Sequence, residues 1–332
     1  MKKNFLLFVP AVAILFFCLH QFYFLVKPPH RNGIITLVIP ENTSSREVSK
    51  ILRDHDLIQS PLIFRLYTRY RGVDARLKAG EYTFQAPVSL SDIVDQLVKG
   101  QPEIVKVTIP EGFTLEQMAV LLTEKGLVDE QKFLQEAEQG SFAYPFLADL
   151  PAGPKRLEGY LFPDTYHFSR KTTEHEIIDL MLKRFQREIE ALNYSERAER
   201  AGLTLREAVI IASLVEKEAR VEEERPVIAG VILNRLRAGM LLQIDATVQY
   251  ALGGDYRPRL YYKDLDVDSP YNTYKIKGLP PTPIASPGRS SLLAAVAAKE
   301  DTGYLYYVAR PDGTHAFART LAGHNENRRK YQ

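Results

Sequence analysis

Two glutamates close an almost wholly apolar stretch: residues 208–215 are followed by Glu216, Lys217 and Glu218. On a helix, residues three and four apart share a face, so Glu218 lies over Leu214 and Val215 and continues the stripe through Ile211. A carboxyl aimed into apolar surroundings resists ionisation. A rise of roughly a unit or two in its pKa leaves it able to donate a proton near neutral pH, the property needed to protonate a leaving oxygen. Spacing alone also allows a quieter role, in which Glu218 ends the helix and pairs with Arg220 or Arg225. Glu216 lies over Ala212 and Ser213, a smaller and more polar face, and reads as solvated or paired with Lys217 or Arg220.

Four segments could supply groups around such an acid. Residues 158–166 (EGYLFPDTY) hold two carboxylates and three aromatics, and residues 242–250 (LQIDATVQY) alternate polar and apolar groups. Residues 269–274 (SPYNTY) and 278–288 (GLPPTPIASPG) add prolines and glycines that can hold a backbone open for a ligand. Gln243, Asp245, Tyr271 and Asn272 are candidates for holding a sugar or positioning Glu218, because amides and carboxylates match hydroxyls and tyrosine rings match sugar faces. Glu158 and Tyr166 are candidates from the first segment. Each has a structural alternative: Tyr271 as a core aromatic with a satisfied hydroxyl, Asp245 as the cap of a helix over 246–252, Glu158 and Asp164 as acceptors that shape their loop. His315, His324 and Asn325 lack a metal-ligand spacing and have no cysteine to support them, so His315 reads as lining the far side of a cleft.

The elements that must position these groups can be read from periodicity and caps. Residues 174–192 form an amphipathic pattern, and Thr204 with Glu207 is a capping box that opens the apolar run. A third helix over 226–237 starts with proline and stops at Gly239. Upstream, residues 37–41 and 51–58 recur seventy positions later as 107–111 and 121–128, each copy reading as a strand, a turn and a helix capped by Ser44 or Thr114. Between the copies, 78–84 reads as a strand and 89–98 as a capped helix. That β-α-α-β economy is similar to LysM-like glycan-binding modules, and equally suits a plain α+β spacer. The texture changes near residue 151 to loops rich in Pro, Gly and Tyr between long helices. The expected architecture is α+β: a tail over 1–4, a membrane span over 5–26, a LysM-like module over 32–102, a second strand-helix unit and linker over 103–150, and a larger mixed α/β catalytic domain over 151–332.

The span rests on composition. Residues 5–26 match the roughly 20 apolar residues that cross a bilayer, with His20, Gln21 and Tyr23 near one interface. The small-x-small triplet at 11–13 lies inside the apolar run, where a signal peptidase would not use it, so the segment reads as an uncleaved anchor with the bulk of the chain outside. Cys18 is the only cysteine, which excludes an intramolecular disulfide. A net charge of +2 with no long basic run excludes the electrostatic footprint of a nucleic-acid binder.

The blocks at 158–166, 212–219 (ASLVEKEA), 234–236 (NRL), 242–253, 269–274 and 278–288, in this order, resemble the endolytic murein transglycosylase family, also called YceG-like. The resemblance runs from the anchor to the C-terminus. It implies that Glu218 is the catalytic acid, that the enzyme lies outside the cytoplasmic membrane on a single-pass anchor, and that no metal or organic cofactor is needed. It also implies cleavage within peptidoglycan glycan strands to give 1,6-anhydro ends, and partnership with glycan-polymerising synthases.

Overall fold

The computed structural model describes residues 33–100, 104–150, 152–253 and 260–331, which fall into two compact units divided between Glu103 and Ile104. The tail and the expected span over 1–26 lie outside the described residues. Among the described residues no helix is long and apolar enough to cross a membrane.

The first unit runs β1 (Gly33–Ile39), α1 (Ser45–Asp54), α2 (Pro61–Tyr70), β2 (Gly80–Ala86) and α3 (Leu90–Lys99). β1 and β2 pair antiparallel, with Ile35 opposite Phe84 and Leu37 opposite Tyr82. Alternation along each strand sends these four side chains to one face. There they meet Val48 and Leu52 of α1, Phe64 of α2 and Ile93, Val94 and Leu97 of α3 in a core of their own. Ser44, Ser60 and Ser89 cap the three helices, each accepting a hydrogen bond from a backbone N–H of the first turn.

The second unit opens with β3 (Ile104–Thr108), α4 (Leu115–Glu124) and α5 (Glu130–Gln139), followed by β4 (Thr165–Ser169). α6 (Glu174–Ala191), α7 (Tyr194–Arg200), α8 (Leu205–Glu218) and α9 (Arg225–Arg237) form its helical body. α10 (Asp245–Leu252), α11 (Arg289–Val296), the hairpin β5 (Tyr306–Ala309) to β6 (His315–Ala318) and α12 (Leu321–Tyr331) complete it. α8 is the centre: every residue from Ala208 to Val215 is buried. Phe185 and Met181 of α6, Ile228 and Ile232 of α9, and Leu292 and Ala295 of α11 belong to the same core. An all-round apolar helix has to be enclosed in this way.

One sequence expectation changes here, the boundary near residue 151. The two strand-helix copies do keep matching capping boxes, Ser44 with Glu47 and Thr114 with Gln117. Their strands nevertheless lie in different units, β1 beside β2 and β3 beside β4. Local repeats specify local elements; pairing is decided by which second strand can bury the same face. The core of the second unit also passes from Met118 and Phe133 through Leu157 to α6 and α8, so the change of texture at residue 151 marks no packing boundary.

Candidate active site

Glu218 is the last residue of α8, and the chain turns to an extended conformation at Ala219. Its half-buried carboxyl lines a cavity of about 690 Å³ together with Phe113, Glu116, Lys155, Asp245, Gln249 and Tyr250. Burial pushes the Glu218 carboxyl up to about 7, and the neighbouring Asp245 raises it further; hydrogen bonds from Tyr307 and the Ala246 backbone act in the opposite direction. The position disfavours negative charge in a second way, since the C-terminus of a helix carries the negative end of its dipole. Tyr307 donates its hydroxyl to Glu218 Oε2 at 2.9 Å.

The segments around the acid are fastened by buried polar side chains. Thr273 clamps the 242–247 turn: its carbonyl accepts from Gln243 N at 3.0 Å, and its hydroxyl from Ile244 N at 3.0 Å. Thr247 shares a 2.8 Å hydrogen bond with the same hydroxyl. Ser213, inside α8, accepts from Ile284 N at 3.1 Å. Glu216 accepts from Gly288 N at 2.9 Å and pairs with Arg225, so it is neither solvated nor paired with Lys217 or Arg220 as its neighbours in sequence suggest. A Cβ at Gly288 would overlap the Glu111 carboxyl, the end of an exposed side chain that would have to move aside.

Of the sequence candidates, Asp245 stands with Glu218 in the cavity wall. It is the first residue of α10 rather than its cap, and its carboxylate accepts the Tyr274 hydroxyl. Gln243 is exposed, holds a left-handed backbone (φ 51°) and does not line the cavity; its side-chain oxygen lies 3.4 Å from Arg235 Nη1. Asn272 is 0% exposed, and its amide is committed to the chain: Nδ2 donates to the Leu265 and Val267 carbonyls and Oδ1 accepts from Tyr274 N. It shapes the loop and has nothing left for a sugar. Tyr271 meets Tyr250 with the rings tilted, centroids 4.8 Å apart, and shares a hydrogen bond with Thr282; it is not among the cavity-lining residues. Tyr166 lies on β4 opposite Val107 and donates to the Phe162 carbonyl at 2.6 Å, away from the cavity. His315 is buried against Glu224 instead of lining the cavity.

Glu158 is fully buried and reaches the site indirectly. It accepts from Leu115 N at the start of α4 and from the Tyr250 hydroxyl at 2.9 Å, and Tyr250 lines the cavity with Lys155 over its ring. Burial, with the nearby Glu116 carboxylate, pushes Glu158 up to about 8. From an ordinary value of 4.5, a raised carboxyl makes the native state bind a proton that the unfolded chain has lost. Stability from this group is therefore complete below about pH 4.5 and is lost progressively as pH rises to about 8. Melting temperatures taken across this range are expected to fall in the wild type and to fall less steeply in Glu158→Gln; parallel slopes would contradict the assignment.

Sequence reasoning missed Glu116, Lys155, Tyr250, Thr273, Arg235 and Tyr307. Tyr307 could have been suspected only from the run Tyr304-Leu305-Tyr306-Tyr307-Val308-Ala309, a short aromatic and aliphatic stretch of strand length.

A carboxyl that burial raises to about 7, at a helix end in the wall of a cavity, is suited to general-acid chemistry. The family model described as YceG-like matches residues 37–330. The chain is 33% identical over 321 residues to the Bacillus subtilis (strain 168) protein named endolytic murein transglycosylase, covering 92% of this chain and 88% of that one. A Streptococcus pneumoniae (strain D39) protein of the same name is 34% identical over 321 residues, which cover 88% of this chain and 57% of the longer relative. The crystal structure of a yceG-like protein from Listeria monocytogenes superposes with a TM-score of 0.60 at 35% identity, covering 88% of this chain and 98% of the other. The chain belongs to the YceG-like family.

Proposed function

We propose that this chain is an endolytic peptidoglycan lytic transglycosylase in which Glu218 acts first as acid and then as base. The protonated carboxyl gives its proton to the oxygen linking N-acetylmuramic acid to N-acetylglucosamine, and that bond to C1 breaks. The resulting carboxylate takes the proton of the muramyl C6 hydroxyl, whose oxygen closes on C1 to form a 1,6-anhydro end. No water is consumed and the carboxyl ends protonated, ready for the next turnover.

The observation that carries this reading is the Glu218 carboxyl at about 7 in the cavity wall, where either protonation state is accessible at neutral pH. Two-carboxylate glycosidases need a second carboxylate as base or nucleophile. Here Asp245 shares the wall but already accepts Tyr274, which suits it to holding substrate and to raising Glu218. The name of the Bacillus subtilis and Streptococcus pneumoniae relatives supports the same chemistry.

In the cell the apolar segment 5–26 would hold the chain at the cytoplasmic membrane, with both units outside it and the first unit acting as a LysM-like glycan-binding module. Cutting nascent strands there would terminate or trim glycan elongation beside the synthases that make them.

The test is mass spectrometry of glycans released from purified peptidoglycan by the detergent-solubilised full chain in ¹⁸O-labelled water. Internal fragments with unlabelled anhydromuramyl ends are expected. Labelled reducing ends would replace this mechanism by hydrolysis, and retention of intact strands on the protein would leave a glycan-binding scaffold.

A further inference from the structure

Resting on the reading of Glu218 as the acid, the arrangement behind its carboxyl assigns unequal roles to the two carboxyl oxygens. Among the described residues the Tyr307 hydroxyl has one hydrogen-bond partner, Glu218 Oε2, at 2.9 Å. Burial and the Glu218 charge push the phenol well above its ordinary pKa, so it stays protonated throughout the range in which Glu218 titrates. A hydroxyl with a single acceptor donates to it, and an oxygen that accepts such a bond is a poor place for the acid's own proton.

The phenol is held firmly enough to enforce this. Its ring meets His315 edge-on, at 5.4 Å and 86°, and lies 6.3 Å from Phe317, both on the neighbouring strand β6. His315 is itself fixed at both its backbone N–H and Nδ1 by the Glu224 carboxylate, at 3.0 and 2.7 Å. The start of the hairpin is tied to α9, since Asn234 donates to the Tyr304 carbonyl and Arg235 to the Leu305 carbonyl. Asp245, Tyr274 and the Ala246 backbone N–H interact with Glu218 from the α10 side, and Arg235 with Tyr307 from α9.

We infer that Tyr307 is a positioning residue that keeps Glu218 Oε2 an acceptor and so favours Oε1 as the oxygen that carries the transferable proton. In the second half of the reaction the same hydroxyl steadies the carboxylate while Oε1 takes the C6 proton.

Tyr307→Phe tests this directly, because it keeps the ring against His315 and Phe317 and removes only the hydroxyl. The Glu218 carboxyl carbon, identified in ¹³C spectra by its loss in Glu218→Gln, should titrate at higher pH in Tyr307→Phe, since a donor to the charged form has gone. With glycan substrate, kcat should fall roughly ten- to a hundredfold with KM little changed, and the pH at which activity declines should move up with the titration. Unchanged titration and kcat in a variant that melts like the wild type would overturn the assignment. A fall in kcat that tracks only a lower melting temperature would also overturn it, leaving Tyr307 a packing residue. The release of reducing ends by the wild type would instead count against the transglycosylase reading, while the Glu218 titration would still decide the role of Tyr307.

Discussion

Glu218→Gln is expected to lower kcat for glycan cleavage by roughly three orders of magnitude, the scale of a positioned general acid. The amide keeps the shape of the side chain and can still accept from Tyr307, so the loss would report the missing proton rather than a missing contact. In the wild type kcat/KM should decline above about pH 7, because the free enzyme has to carry the proton it will transfer. The stability of the variant separates chemistry from architecture. The Glu218 carboxyl, raised from 4.5 to about 7, contributes most below pH 4.5, and its contribution is lost as pH rises through 7. At pH 8 the wild type must keep a charge in poor surroundings, and Glu218→Gln should melt no lower than it. A clear drop in melting temperature at that pH, or activity within tenfold of the wild type, would return Glu218 to the quieter role of a helix-end brace.

Arg235→Ala is expected to be the most disruptive single change to the frame. Arg235 is 9% exposed, yet its guanidinium donates to three backbone carbonyls, those of Leu241, Leu242 and Leu305, and lies over the Tyr306 ring. One side chain thus ties α9 to the turn before α10 and to the hairpin that carries Tyr307. Removing it strands those carbonyls and opens a cavity, a loss of roughly 3 kcal/mol, or about 6–12 °C in melting temperature for a unit of this size. Arg235→Lys should recover little of this, because an ammonium cannot reproduce the fork that spans the turn and the hairpin. Activity should fall below what the remaining folded fraction explains, since both Ala246 and Tyr307 lose their fixed distance from Glu218. Thermal unfolding and single-turnover cleavage measured on the same preparation would decide; a stable variant of full activity would remove Arg235 from this role.

Much of the local structure was legible in the chain. Thr204 and Glu207 announce the start of α8, the apolar run through Val215 announces its burial, and the three- and four-residue spacing aims Glu218 away from solvent. Ser44, Thr114 and Ser89 mark helix starts just as plainly. These signals are local: a cap acts on the next turn, and an apolar face is written at the helical period.

The groups that tune the acid could not be read this way. Tyr307 stands eighty-nine residues beyond Glu218, and Glu158 meets Tyr250 across ninety-two. No periodicity encodes such pairs; they exist because the hairpin and the loops pack around α8. The same packing turned Asn272 inward, moved Glu216 from the surface to Arg225 and Gly288, and gave the strands of the two similar repeats different partners. The sequence by itself determined which elements form and which carboxyl ends the buried helix. Only the tertiary structure decided what that carboxyl faces, and so its pKa, because desolvation and hydrogen bonding depend on every element that closes over it.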